Sequence, residues 1–329
     1  MTFDQDIGNW DVSSVTSMSS MFTAAGNYNV FNNGGSTGIN NWDTSSCANM
    51  GSMFYRCSGF NQPIGNWDTS KVTTMQDMFH RALSFNQPIG SWDTSSCTDM
   101  TNMFYIASKF DQDIGNWNVT GVTNMYNMFR SASRFTNGGS PSISGWNTSS
   151  VTNMYSMFRE CSGFNHPIGS WDTSNVTTMA GMFYRWEGNM TFDQDIGNWD
   201  VSSVTSMNSM FFAQNNYNAF NNGGSPNIGN WNTSSVTNIN SMFYRCNSFN
   251  QDLSNWNVAS VTNATNFMNL ANGLSTTNYD RTLSGWSSQS VQNGVNIHFG
   301  GSQYSTATGL AYRNALVSAG WTITDGGAV

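Results

Sequence analysis

Pairs of aspartates are the residues of this sequence best suited to metal chemistry. Asp-Gln-Asp occurs three times, and the first copy begins at Asp4. Calcium takes several oxygen ligands, so two carboxylates in one short loop favour it. Related stretches of the chain carry Asn-Gln-Pro in the same place, which favours a simple turn instead. The weak calcium candidates are Asp111, Asp113, Asp193 and Asp195.

The cysteines and histidines show no spacing typical of catalysis. The five cysteines stand where related stretches carry small apolar residues, so we expect buried, free thiols. A disulfide between Cys47 and Cys57 is the alternative. The three histidines lie in unrelated contexts, and no nucleophile elbow, His-carboxylate pair or C-x-x-C motif occurs. The sequence therefore predicts neither an enzyme nor a cofactor, calcium being the one exception left open.

A row of aromatic and basic residues is the preferred ligand-binding candidate. Each member directly follows a Met-Phe pair that recurs along the chain. Aromatic and arginine side chains are enriched at binding hot spots, although a solvated helix flank would look the same in sequence. The strip comprises Tyr55, His80, Tyr105, Arg130, Arg159, Tyr184, Phe212 and Tyr244.

Three insertions of the form Phe-Xaa-Asn-Gly-Gly-Ser are the second candidate for binding. Insertions in repeat proteins often mark the binding face. Asn, Gly and Tyr suit hydrogen bonding and stacking to sugars, but the same composition makes tight turns. The candidate loop residues are Tyr28, Asn33, Asn137, Tyr217 and Asn222.

An acidic row follows the recurring tryptophans, for example at Asp68 and Asp93. Stacked carboxylates about 4.8 Å apart repel one another. Either bound cations or a hydrogen-bonding role, such as capping of its own turn by each aspartate, offsets that repulsion. We favour the structural role.

The composition excludes two classes of partner. The chain of 329 residues has a net charge of −8, and only 9% of its residues are charged. Eleven basic residues against 19 acidic ones leave no electrostatic surface for nucleic acid or anionic membranes. The longest apolar run, Met103–Ala107, is five residues, far below the roughly 20 that span a bilayer. We expect no nucleic acid partner and no direct membrane insertion.

A repeat of about 25 residues must position all of these side chains. Trp67, Trp92 and Trp117 open near-copies of one unit, and some other copies carry insertions. Repeats of this length predict stacked coils, because one unit cannot bury its own apolar face.

Within the unit the apolar period changes from two to 3.6. Trp67 and Thr69 alternate with polar residues, which predicts a short strand. Val72, Met75, Met78, Phe79 and Ala82 follow the spacing of one buried helical stripe, and a return loop with Pro and Gly comes next. We expect the recurring methionines to fill the core rather than to bind metal.

Two segments are predicted. Residues 1–271 form the repeat domain, and residues 272–329 form a C-terminal capping segment with a last helix at Leu310–Leu316. Residues 1–40 recur almost letter for letter at 190–229. The chain begins in the middle of a repeat without a polar cap, so we expect upstream sequence, a partner or another copy to cover that end.

The unit resembles that of the BspA-like leucine-rich-repeat surface proteins. The matching residues are Phe60–Ser70, Val72–Met75 and Met78-Phe79, in the form F-N-Q-P-I-G-N-W-D-T-S-x-V-T-x-M-x-x-M-F. The resemblance covers about residues 1–271 and implies a right-handed solenoid displayed outside cells and linked with adhesion. Similar repeats also occur in phage structural proteins. No catalytic residue and no fixed binding motif is implied.

The predicted fold is therefore an α/β repeat, a right-handed leucine-rich-repeat-like solenoid of about ten coils of short strand, short helix and loop. Its predicted function is adhesion to, or recognition of, a host-surface protein or a glycan, at the cell surface or outside the cell. The alternatives are a phage tail-fibre or receptor-binding protein on the virion surface, and a filament subunit that assembles end to end with further copies of itself.

Overall fold

Neighbouring repeats are joined by backbone hydrogen bonds in the computed structural model, which describes residues 3–23, 30–214 and 218–329. The chain divides into unit 1, Met1–His166, and unit 2, Pro167–Val329. Within each unit the contacts run from one repeat to the next. The repeats predicted from the sequence are thus the building blocks of both units.

The stretch predicted as a short strand, Trp67–Ser70, is irregular and ends in a turn, and neighbouring repeats pair through single parallel bridges further along the chain. In the copy that starts at Ile64, one turn closes with Val72 N–H on Thr69 O, and the next closes with Met78 N–H on Met75 O. These turns leave Thr74 as the one bridged residue. A ladder of several residues therefore does not form. The bridged row in unit 1 is Ser17, Asn49, Thr74, Asp99, Asn124 and Asn153, and in unit 2 it is Thr178, Ser206, Asn238 and Asn263.

The methionine segment differs from the predicted helix. Met75, Asp77, Phe79 and Arg81 donate their N–H groups to carbonyls of the next repeat, while the residues between them close turns within the repeat. Asp77 has a φ of 56°, and its equivalents are Ser, Asn or Gly, residue types that suit this left-handed region. In an α-helix these N–H groups would donate to carbonyls of the same helix. A chain of turns instead keeps the same inward stripe and bonds the neighbouring repeat.

The core consists of side chains stacked from repeat to repeat. Phe79 and Phe85 lie 3.9 Å apart within one repeat, and Phe79 lies 5.6 Å from Phe104 of the next. Trp92 stacks on Trp67 at 6.4 Å, and its Nε1–H donates to the Ile64 carbonyl at 3.1 Å. The recurring methionines are buried except for the half-buried Met21, so the packing role predicted for them is confirmed.

The insertions form short 3-10 helices in the described part of the chain. They come in three pairs with nearly the same geometry, one pair per insertion. The pairs are Asn33–Gly35 with Gly38–Asn41, Asn137–Gly139 with Pro141–Gly145, and Asn222–Gly224 with Pro226–Asn230.

The C-terminal part of unit 2 holds regular elements. Helix α1 is Thr276–Ser287, strand β1 is Asn296–His298, helix α2 is Gly309–Ser318, and strand β2 is Thr322–Thr324. The two strands pair in parallel with Ile297 opposite Ile323, and α1 packs on α2. The last helix predicted from the sequence is confirmed by α2.

Candidate functional site

The Asp-Gln-Asp pairs and the Asn-Gly-Gly insertions, separate candidates in the sequence, meet in the structure. Asp111 Oδ1 accepts the backbone N–H groups of Thr136 at 2.7 Å and Gly138 at 3.0 Å, and the Thr136 hydroxyl donates to it at 2.8 Å. The two backbone contacts recur at Asp4 and Asp193. Each pair therefore fastens the insertion that follows it in the next repeat.

The second carboxylate of the pair is also engaged. Asp113 Oδ1 accepts the Ser142 hydroxyl at 2.6 Å and the Gly115 N–H at 2.9 Å. Desolvation on its own would raise the pKa of Asp113, but hydrogen bonds from Ser142, Gly115 and neighbouring side chains lower it overall. Asp195 accepts the equivalent Gly197 N–H at 2.9 Å.

These contacts change the interpretation of the calcium candidates. An oxygen that faces several N–H and O–H donors is oriented for hydrogen bonds rather than for a cation. Within the described ranges, no group of three or more His, Cys, Asp or Glu side chains is arranged to hold a metal ion. The turn interpretation of the Asp-Gln-Asp pairs accounts for the contacts.

The candidate loop residues Asn33, Asn137 and Asn222 are fully buried. Asn137 Oδ1 accepts the Ile114 N–H at 2.9 Å, and its Nδ2 donates to the Ser140 carbonyl at 2.9 Å. Both ends of the amide are thus used inside the protein, and the prediction that these three residues contact a ligand is not supported by their position. Tyr28 and Tyr217 lie outside the described residues.

The candidate strip is a continuous stack in unit 1. His80 lies 4.6 Å from Tyr55 and 4.5 Å from Tyr105, and the Arg130 guanidinium lies 5.0 Å from the centre of the Tyr105 ring. His80 is only 8% exposed, and its Nδ1 lies 2.8 Å from Asp77 Oδ1. The other members, including Arg159, are partly exposed.

Unit 2 carries its own part of the strip. The ring of Phe212 lies 4.5 Å from Tyr184 and 4.6 Å from Tyr244, and all three are stacked. Tyr184 and Phe212 are 9% exposed, so the predicted exposed flank is wrong for them and for His80. Stacking between adjacent repeats covers these rings, an effect that a single unit does not reveal.

Two aromatic features escaped the sequence analysis. Trp186 is 53% exposed, and its ring is parallel to those of Tyr184 and Phe212 at 6.5 and 6.4 Å. Tyr126 and Tyr155 stack at 5.1 Å one residue after the first methionine of their repeats. The available signal was a departure from the repeat, because Trp186 stands where other copies carry Cys or Ala.

The acidic row adopts its predicted structural role. Asp68 Oδ1 accepts the hydroxyl of Ser70 at 2.6 Å and its N–H at 2.9 Å. The Ser70 side chain, followed by its backbone N–H, lowers the pKa of Asp68. Equivalent bonds occur at Asp11 and Asp172, so the prediction that these aspartates cap their own turns is confirmed.

The remaining reactive side chains are held in structural roles. All five cysteines are free and buried, as predicted, so the alternative Cys47–Cys57 disulfide is absent. Desolvation raises the pKa of Cys57 to about 12. His166 replaces a glutamine of other repeats and bonds the Thr136 carbonyl through Nε2, just as Gln87 bonds the Asn61 carbonyl.

The model of one protein family matches the chain four times, at residues 1–34, 28–141, 138–223 and 187–308. That family is described as Mycoplasma protein of unknown function, DUF285. The overlapping matches agree with the repeats and identify a repeat protein. No curated protein and no solved structure matches the chain. In the described residues, no helix is long and apolar enough to cross a bilayer.

Proposed function

The chain belongs to this family, and we propose that it is a non-enzymatic surface protein of the BspA-like type that recognises a protein or a glycan outside the cell. The proposal takes each unit as a right-handed solenoid of the leucine-rich-repeat type. Parallel bridges between neighbouring repeats support that arrangement. Repeat stacking of this kind produces extended surfaces suited to recognition.

The observation that carries the proposal is the stacked strip of aromatic and arginine side chains. Stacking between repeats fixes ring orientation at 4.5–4.6 Å in both units. A side chain that is already ordered loses little entropy when a partner binds, so the partly exposed members of the row, such as Tyr55 and Tyr105, are well prepared for contact. Tyr105 and Arg130 combine partial exposure with a cation–π contact, and both residue types anchor binding interfaces.

The contacts of the reactive groups support the absence of catalysis in this proposal. A thiol needs a lowered pKa to act as a nucleophile, whereas burial raises the pKa of Cys57 to about 12 and that of Cys97 to about 11. Burial also lowers the pKa of His298, whose Nδ1 accepts the Gly300 N–H. The proposed role therefore uses surface complementarity and no chemical step.

A binding screen of the full chain tests the proposal. The chain is applied to arrays of glycans and of extracellular matrix proteins, beside a strip variant carrying Tyr105→Ser and Arg130→Ser. A matched control carries Tyr312→Ser, because Tyr312 is 37% exposed on α2. We expect at least one ligand to bind the parent and the control equally and the strip variant roughly tenfold or more weakly.

Equal urea midpoints for the three proteins establish that the strip variant is folded. The proposal is overturned if the parent binds nothing on both arrays. It is also overturned if the strip variant binds each ligand as tightly as the parent does.

A further inference from the structure

A three-residue insertion in one repeat of unit 2 presents an aromatic ring to solvent. Trp186 occupies the position of Cys57, Ala82 and Ala107, all fully buried in their repeats. Its own side chain is 53% exposed. Among the described residues between 31 and 269, it is the one large apolar side chain that is exposed.

The repeat closes its core without this tryptophan. Phe183 stacks on Phe192 at 3.9 Å across the insertion, the same distance as the Phe79–Phe85 pair of an uninterrupted repeat. Met190 is buried at the end of the loop. The Phe183–Phe192 contact thus closes the core without the Trp186 ring, which packs beside Tyr184 and Phe212 and leaves 53% of its side chain exposed.

The backbone just before Trp186 is anchored to the next repeat. Arg185 N–H donates to the Phe212 carbonyl at 2.7 Å, and the Arg185 carbonyl accepts the Gln214 N–H at 2.9 Å. The Arg185 guanidinium packs so closely on Gly188 that a Cβ there would lie 2.6 Å from Nη2. Gly188 also has a φ of 78°, so glycine is required at this turn. The backbone that leads into the exposed ring is thus fixed by the neighbouring repeat.

The Trp186 ring lies parallel to two buried rings and has exposed polar residues next to it in the chain. The Trp186 plane is within 5° of Tyr184 and 7° of Phe212, and Glu187 and Asn189 are exposed beside it. A carboxylate, an amide and a guanidinium within three residues of one indole offer both donors and acceptors of hydrogen bonds. A protein interface instead has a contiguous apolar core, which an isolated tryptophan does not provide.

We propose that Trp186 is a stacking platform for a hexopyranose ring of a neutral glycan. The apolar face of such a ring carries C–H groups that are attracted to the negative face of the indole. Its equatorial hydroxyls reach the polar rim formed by Arg185, Glu187 and Asn189. This assignment names the ligand class of the proposed recognition function and rests on that function for its extracellular setting.

Tryptophan fluorescence of the full chain tests this assignment. Trp10 is the other exposed tryptophan, also at 53%, so the parent protein for this experiment carries Trp10→Phe. Cellobiose, lactose and N,N′-diacetylchitobiose are titrated against acrylamide quenching, and mannitol serves as an acyclic control. We expect at least one disaccharide to reduce quenching in a saturable way, while mannitol has no effect.

Variants of Trp186 then locate the binding site by saturation-transfer NMR with the same disaccharides. Trp186→Ala should weaken binding roughly tenfold, while Trp186→Phe retains a ring and should stay within about threefold. No shielding by any disaccharide, or unchanged binding by Trp186→Ala, overturns the assignment. If these sugars fail while the Tyr105/Arg130 strip variant still loses its array ligand, this assignment fails and the proposed function stands. If the strip variant keeps full affinity for its array ligand while the sugars bind at Trp186, the proposed binding role of the strip fails and the assignment of Trp186 stands.

Discussion

Replacing Asn137 with alanine should destabilise unit 1, and replacing it with glycine should cost less. The Asn137 amide is fully buried and bonds the Ile114 N–H and the Ser140 carbonyl at 2.9 Å each. Its φ of 52° lies in the left-handed region. Both substitutions remove the bonds, but only alanine also strains the backbone.

The contacts give the magnitude. A buried N–H left without its acceptor costs about 1–3 kcal/mol, and a lost neutral hydrogen bond about 1 kcal/mol. Left-handed backbone adds about 1–2 kcal/mol for alanine. We therefore expect Asn137→Ala to lower the free energy of unfolding by about 3–6 kcal/mol, and Asn137→Gly by about 1–2 kcal/mol less.

Urea unfolding monitored by tryptophan fluorescence measures the change in free energy of unfolding for both variants. Hydrogen exchange of the Ile114 amide reports the local destabilisation. Asn116→Ala is the matched control, because Asn116 is exposed in the same repeat. It should stay within about 0.5 kcal/mol of the parent. A parent-like midpoint for Asn137→Ala, or a glycine variant that unfolds before the alanine variant, would refute the reasoning.

Three further predictions follow from the site contacts. Millimolar calcium should leave the urea midpoint unchanged, because hydrogen-bond donors already surround the Asp-Gln-Asp carboxylates, and a clear upward shift contradicts this. The thiols should resist a thiol-reactive probe at pH 8 in the native chain, since burial raises the pKa of Cys57 to about 12 and of Cys97 to about 11. All five thiols should react once the chain is unfolded in urea. Rapid labelling of the native chain would contradict the burial. The pKa of Asp68 is lowered by Ser70, so its stabilisation is present above the unfolded pKa and is lost as pH falls below about 4 through the folded value. Ser70→Ala should flatten that acid-side loss in a pH series of urea midpoints, and an unchanged slope contradicts it.

The repeat and its core were predictable because identical spacing places identical residues in register. Trp67 and Trp92 stack for that reason, and the buried methionines follow from the same argument. The last helix was also predictable, because Leu310–Leu316 departs from the repeat. These features depend only on local pattern and on stacking of like on like.

The backbone conformation of the methionine segment could not be predicted from the spacing of its apolar residues. A helix and a chain of turns both bury Met75, Met78 and Phe79 on one side, so the apolar spacing does not distinguish them. The deciding factor is the next repeat, which accepts the N–H groups of Asp77 and Arg81. Local periodicity contains no information about that neighbour.

The loop asparagines Asn33, Asn137 and Asn222 were misinterpreted for a related reason. Asn-Gly-Gly suits both a sugar contact and a tight turn, and only the preceding repeat decides between them. Asp111 and Asp113 supply the acceptors that fix the Asn137 loop. The co-occurrence of Asp-Gln-Asp with the following insertion was visible in the sequence, and it is the signal that connects the two.

Radical footprinting of the strip in a bound complex tests the central claim most directly. Tyr55 and Tyr105 are partly exposed in the strip of unit 1, and Tyr312 is exposed on α2 of unit 2. Oxidation rates are measured for the full chain alone and with the ligand found on the arrays. The account predicts slower oxidation of Tyr55 and Tyr105 with no change at Tyr312. Protection of Tyr312 with unchanged rates at both strip tyrosines would contradict it.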